Sequence, residues 1–165
     1  MATQENLGIR WPSDFEPSPA PVCVSNQIDI SAPPDRVWAC LIRAQYWSTW
    51  YPNSKRVRFL RGTLPDLALG TRFHWWTFKV PITSEVREFV PHERLAWDAV
   101  GLGVRAYHAW LITPTRNGCH VLTEETQHGW AAQLSAFFLP NRMYKGHQIW
   151  LESLRDRAEG GLPPG

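Results

Sequence analysis

Two residues combine a titratable side chain with a position that should turn it inward: His108 and Glu125. A buried carboxylate needs a partner, a wet cavity or a proton, because taking an isolated charge out of water is costly. An imidazole beside it supplies that partner. Such a pair can anchor the polar end of a ligand or pass a proton as general acid and base. It can equally be a satisfied polar contact inside a packed sheet, and at the level of sequence both readings stay open.

What brings the two together is hairpin parity. Residues 81–129 divide into four extended segments at turn signals Val80-Pro81, Pro91-His92, Gly101-Leu102-Gly103 and Asn117-Gly118, the last being the strongest hairpin marker. A two-residue loop at Asn117-Gly118 sets Trp110 opposite Glu125, and a four-residue loop sets His108 there. Either way His108, Trp110 and Ile112 share a face with Cys119, Val121, Thr123, Glu125 and Gln127. The same parity adds Leu95, Trp97 and Ala99 from the next segment, then Ile82, Val86 and Val90. This face is mostly apolar and is read as the inner one, with Arg87, Arg105, His120 and His128 outside. Ser84 and Glu88 also fall inside by parity, which suits a wet end of the interior or a bulge.

Further elements must close over this face. Residues 22–31 alternate as a strand, and Pro33, Pro34 and Asp35 suit a helix start, followed by Val37, Trp38, Leu41 and Ile42 on one apolar side. Tyr46, Trp47, Trp50 and Tyr51 crowd a second short helix, either as a gate over a cavity or as a plug of core aromatics. Residues 54–61 and 71–78 read as two more strands. Residues 131–159 form the closing helical region, kinked at Pro140 or starting a second helix there. Met143, His147, Trp150, Leu151, Leu154 and Ala158 recur at spacings of three and four and so share one face. The expectation is an α+β domain: a seven-stranded antiparallel sheet wrapped around a long C-terminal helix, with two short helices after the first strand. Residues 1–21 form a Pro-rich arm, either a partly ordered tail or pinned by Trp11 and Phe15. The domain occupies 22–160, and 161–165 are a tail.

Composition limits the function classes. With 19% charged residues and a net charge of +2, the chain has no field or basic aromatic face that would steer it to nucleic acid. Three widely spaced cysteines, Cys23, Cys40 and Cys119, argue against a disulfide framework and are read as small buried apolar groups. No secretory leader and no membrane-spanning stretch is read, so the expectation is a cytoplasmic protein. The six histidines lack metal-ligand spacing, and no nucleotide or hydrolase motif appears, so neither metal nor cofactor is expected. Ten tryptophans are the unusual feature, since Trp fills cores, lines pockets and anchors interfaces.

The residues 28–42, 70–76, 84–99 and 108–129, with the closing segment 147–159, resemble the START-like, or helix-grip, superfamily, and most nearly its bacterial polyketide cyclase/dehydrase and lipid-transport group. The motifs that carry the likeness are an Ala-Pro helix start, a Pro-x-x-x-Leu-x-Trp strand pair and a hairpin with an inward Glu. Cys119 departs from the Thr frequent after the hairpin glycine. The resemblance implies a pocket for apolar or aromatic molecules between sheet and last helix, and members range from carriers to cyclases. Three functions follow as expectations. The first is binding of a hydrophobic, ring-containing or lipid-like molecule by Trp75, Trp97, His108, Trp110, Thr123, Glu125, Met143 and His147. The second is a cyclase- or dehydratase-type enzyme with Glu125 and His108 as acid and base. The third is an interaction module, a homodimer included.

Overall fold

The computed structural model describes residues 8–161; the outermost residues of the expected arm and tail lie outside the described residues. Seven strands form one antiparallel sheet: β1 (Val22–Ile30), β2 (Lys55–Arg61), β3 (Arg72–Thr77), β4 (Val80–Val90), β5 (Arg94–Gly101), β6 (Val104–Thr115) and β7 (Gly118–His128). Their order across the sheet is β1-β7-β6-β5-β4-β3-β2, a meander from β2 to β7 with the first strand added beside the last. Three α-helices accompany it: α1 (Pro34–Ile42), α2 (Trp130–Phe138) and α3 (Arg142–Gly160). This is the expected α+β helix-grip architecture.

α1 begins with Pro34 at its first position, where a missing N–H costs nothing, and it buries Val37, Trp38, Cys40 and Leu41. The second short helix is a 3₁₀ segment, Ala44–Thr49. Its Trp47 is fully buried and meets Phe73, Trp75, Trp97 and Trp150 at ring-centroid distances of 5.4–5.8 Å, so this aromatic cluster plugs the core. Tyr51 stacks on Trp150 at 4.3 Å. Pro140 separates two helices, and α3 turns Met143, His147, Trp150, Leu151, Leu154 and Ala158 onto the concave face of the sheet.

The parity argument holds for β5, β6 and β7 and slips once in β4. Val86 pairs with Trp97 but Glu88 with Ala96, so Arg87 is the extra residue of a bulge. Past it, inside and outside exchange. Phe89, opposite Leu95, packs into the core where Val90 was expected, and Glu88 goes outside to an ion pair with Arg10 at 3.0 Å. Ser84 stays inside, where its hydroxyl accepts the Trp75 indole N–H at 3.1 Å. Cys40 and Cys119 are buried, whereas Cys23 is exposed because it falls on the outward face of β1.

The outer face is partly covered by the arm. Ile9, Trp11 and Phe15 pack on Ala96, Tyr107 and Ala109, with Trp11 and Phe15 at 5.9 and 5.6 Å from the Tyr107 ring. The Thr126 hydroxyl donates to the Phe15 carbonyl at 2.8 Å, and Arg94 donates to the Gly8 carbonyl at 3.0 Å. The described part of the arm is therefore pinned to the body through Gly8, Ile9, Trp11 and Phe15. His120 stands outside against Asp29, and His128 lies outside beneath Phe15.

Candidate functional site

The β6–β7 hairpin fixes the centre of the site. Thr115 pairs with Gly118, so the loop consists of Arg116 and Asn117, and His108 sits directly opposite Glu125. The glycine does not occupy the loop; it opens β7 with φ 150°, and a side chain there would run into the Ile30 carbonyl oxygen. That shift by one position selects His108, not Trp110, as the cross-strand neighbour of Glu125. Trp110 pairs with Thr123 instead.

α3 adds a third group. His147 Nε2 is 3.2 Å from Glu125 Oε2, His108 Nδ1 is 3.3 Å from the same oxygen, and the Gln127 amide donates to Oε1 at 2.6 Å. His108 Nε2 is 2.8 Å from the Thr123 hydroxyl, which also lies 3.1 Å from the Ala109 carbonyl. The Ala109 carbonyl can only accept, so the hydroxyl spends its one hydrogen there and its oxygen accepts from His108 Nε2–H. The carboxylate is thus held by Gln127 from its own strand and His147 from the helix, with the His108 ring edge beside it.

The charge states follow. Burial lowers the His108 pKa to about 3, with His147 adding to the effect and Glu125 opposing it, so His108 is neutral. Burial alone would raise the Glu125 carboxyl. The His147 hydrogen bond, the two neighbouring imidazoles and Gln127 outweigh it and hold Glu125 below the usual carboxylate range. Glu125 is therefore an anion at neutral pH, an acceptor that is 7% exposed.

Two imidazoles and a carboxylate with ligand atoms within 4.8 Å of one another are also of the type that takes a divalent transition metal. The two rings, however, lie face to face at 4.5 Å and 5°. In-plane lone pairs of parallel rings do not meet at a common ion unless one ring turns, and in this geometry both nitrogens face the carboxylate.

The cluster closes one wall of a pocket of about 190 Å³ between the sheet and α2 and α3. Of the expected site residues, Trp75, Trp97, His108, Glu125, Met143 and His147 line it. Trp110 and Thr123 stand one layer behind. Trp110 packs on His108 and Trp150 at 5.0 and 5.1 Å, and Thr123 acts through its bond to His108.

Residues 21–159 match the family described as polyketide cyclase / dehydrase and lipid transport. The chain belongs to this family. Among solved structures it is similar to protein jhp0584 from Helicobacter pylori, with 32% identity, 94% of this chain and 98% of that one covered, and a TM-score of 0.85. It shares its fold with protein CV1439 from Chromobacterium violaceum (18% identity, 83% and 97% covered, TM-score 0.64) and with the Zhui aromatase/cyclase from a Streptomyces species (16% identity, 84% and 93% covered, TM-score 0.67). No match is found among curated protein sequences.

In this member of the polyketide cyclase/dehydrase family several wall residues escape the sequence reading. Ala131, Ala132 and Ser135 of α2 form one side, where helical periodicity would have turned the larger apolar residues of α2 inward instead. Phe78 and Arg142 sit at the mouth, where the Arg142 guanidinium lies 5.5 Å over the Phe78 ring and donates to its carbonyl. The β3–β4 turn is Phe78-Lys79, with φ 50° and 65°, instead of Val80-Pro81. Without Gly or Asn at those positions, no local signal marks it. Trp150, whose spacing reads as core, is both core and wall.

Proposed function

We propose that the protein binds a small, mostly apolar, ring-bearing molecule in the pocket between the sheet and α3. The observation that carries this reading is the pocket itself. About 190 Å³ is walled by Trp75, Trp97, Trp150, Ile82 and Met143, with polar groups concentrated at the Glu125 cluster. Ligand sites commonly combine an apolar wall with a few convergent polar groups, and an apolar cavity of about 150 Å³ accepts a benzene ring. The ligand's rings would lie among the indoles, and a hydroxyl or amine on it would donate to the Glu125 carboxylate. Membership of a family described by cyclases, dehydrases and lipid transport supports an apolar ligand.

A second reading is catalytic, favoured by the buried carboxylate held between two imidazoles. An ionised Glu125 is a base, so its role would be to take a proton from a bound keto or hydroxy compound, with His108 and His147 positioning it. The fold shared with an aromatase/cyclase is consistent with that chemistry.

Thermal-shift screening against fused-ring phenols, aryl ketones and fatty acids, with native mass spectrometry of the purified protein, tests the binding reading. A saturable shift with at least one ring compound is expected. No shift across the panel, together with a mass spectrum of bare protein, would count against it. Turnover of a bound compound that Glu125→Gln abolishes would favour the second reading.

A further inference from the structure

α2 is built in reverse for a helix of a globular domain. Trp130, Leu134, Phe137 and Phe138 recur at i, i+4, i+7 and i+8, which is one stripe of an α-helix. That stripe faces solvent: Phe137 is 79% and Phe138 69% exposed, and Trp130 and Leu134 are exposed as well. The small residues Ala131, Ala132 and Ser135 face the pocket instead. Leu102, 83% exposed, extends the patch from the adjoining β5–β6 turn, whose Gly103 carbonyl accepts the Ala131 N–H at 3.0 Å. Leu102 and α2 also border the pocket, so the patch rims its mouth.

The stretch that carries the patch has charge of one sign. No Asp or Glu occurs between Glu125, which is buried, and Glu152. The same stretch carries Arg142 and the exposed Lys145, and the exposed Lys79 lies in the turn that Arg142 holds.

We propose that this face docks on the surface of a lipid bilayer containing anionic headgroups, laying the pocket mouth against the membrane. An exposed apolar stripe of this kind calls for a covering partner. Aromatic and aliphatic side chains on one helix face, flanked by cations, suit the headgroup–acyl boundary. A second copy of the chain fits less well. It would bring Lys79, Arg142 and Lys145 of both chains to one rim, with no acidic residue in this stretch to pair them. Docking would let an apolar molecule pass between lipid and pocket without crossing water.

The test is co-sedimentation of the full chain with vesicles of phosphatidylcholine alone and of phosphatidylcholine mixed with phosphatidylglycerol; it needs no pocket ligand and is independent of the binding reading above. Binding roughly tenfold or more tighter to the anionic vesicles is expected, weakening with salt. It should be lost in the double variant Phe137→Ser/Phe138→Ser and weakened in Lys145→Glu. Leu60→Ser, an exposed position on the far edge strand, should leave it intact. All these side chains are exposed, and circular dichroism checks that the fold persists. Absence of vesicle binding, equal binding to both vesicle types, or binding untouched by the double variant would overturn the proposal. So would a dimer that the double variant dissolves in place of any vesicle binding, which would assign the face to a second copy.

Discussion

Glu125 on β7 and His147 on α3 meet through a 3.2 Å contact between Oε2 and Nε2, a polar bond that ties the carboxylate to the helix across the apolar core. Because His147 and Gln127 both donate to this carboxylate, removing it leaves buried N–H groups without an acceptor. Each such group costs about 1–3 kcal/mol. Glu125→Ala is therefore expected to destabilise the protein by roughly 2–4 kcal/mol. Glu125→Gln, which keeps one acceptor oxygen, should lose less. Denaturant unfolding of the two variants measures the difference. Equal losses would mean that burial of the side chain, not the donors around it, sets the cost.

The same cluster makes the protein acid-sensitive in a defined window. His108 has its pKa lowered from 6.5 to about 3, so between those values the unfolded chain binds a proton that the folded chain refuses. Stability must then fall as pH drops below about 6.5. Glu125, also lowered, adds to the slope in the same direction below its ordinary 4.5. The melting temperature of the wild type should decline from pH 7 to pH 5. That of His108→Gln, which cannot titrate but can still bond Thr123, should decline less. Parallel curves for the two proteins would remove His108 as the cause.

How far the sequence reached depended on whether a signal was local. Alternation in β5, β6 and β7 is uninterrupted, so His108, Trp97 and Glu125 were placed on one face by counting alone. In β4 the count failed after Arg87: a charged Glu88 at an inward position suggests a bulge but leaves a wet end of the interior as an alternative, and the strand's own residues do not choose between them. His147 and Met143 were legible from α3 periodicity, but the contact of His147 with Glu125 depends on how α3 docks. α2 was the least legible element, since its apolar stripe predicts burial and the structure turns it outward.

The β3–β4 turn offers a stabilising substitution. Phe78 and Lys79 both have positive φ, as a type I′ hairpin turn requires, and a non-glycine residue there costs about 1–2 kcal/mol. Phe78 is retained by its packing on Gly146 and by Arg142, whereas the Lys79 side chain is exposed. Lys79→Gly is expected to raise stability by about 1 kcal/mol. Gly146→Ala should lower it, because a Cβ there would meet the Phe78 ring. Chemical denaturation reads both, and a loss of stability in Lys79→Gly would show that the lysine makes compensating contacts.

The pocket can be filled from inside without disturbing the Glu125 cluster. Ala99 and Ala106 face each other across β5 and β6 and both border the pocket, which is why their small size leaves open space beside Trp97. Ala106→Phe would project a ring into that space. A side chain that enters an existing void avoids most of the cost of overpacking, so stability should change by no more than about 1 kcal/mol. Affinity for the best ring compound should nevertheless fall by roughly a hundredfold, since about 2–3 kcal/mol of apolar contact is displaced. Titration calorimetry with the wild type and Ala106→Phe measures this. If Ala106→Phe unfolds, Ala132→Leu fills the same pocket from α2 and repeats the test. Undiminished binding in a folded, filled variant would move the ligand site away from the space between sheet and helix.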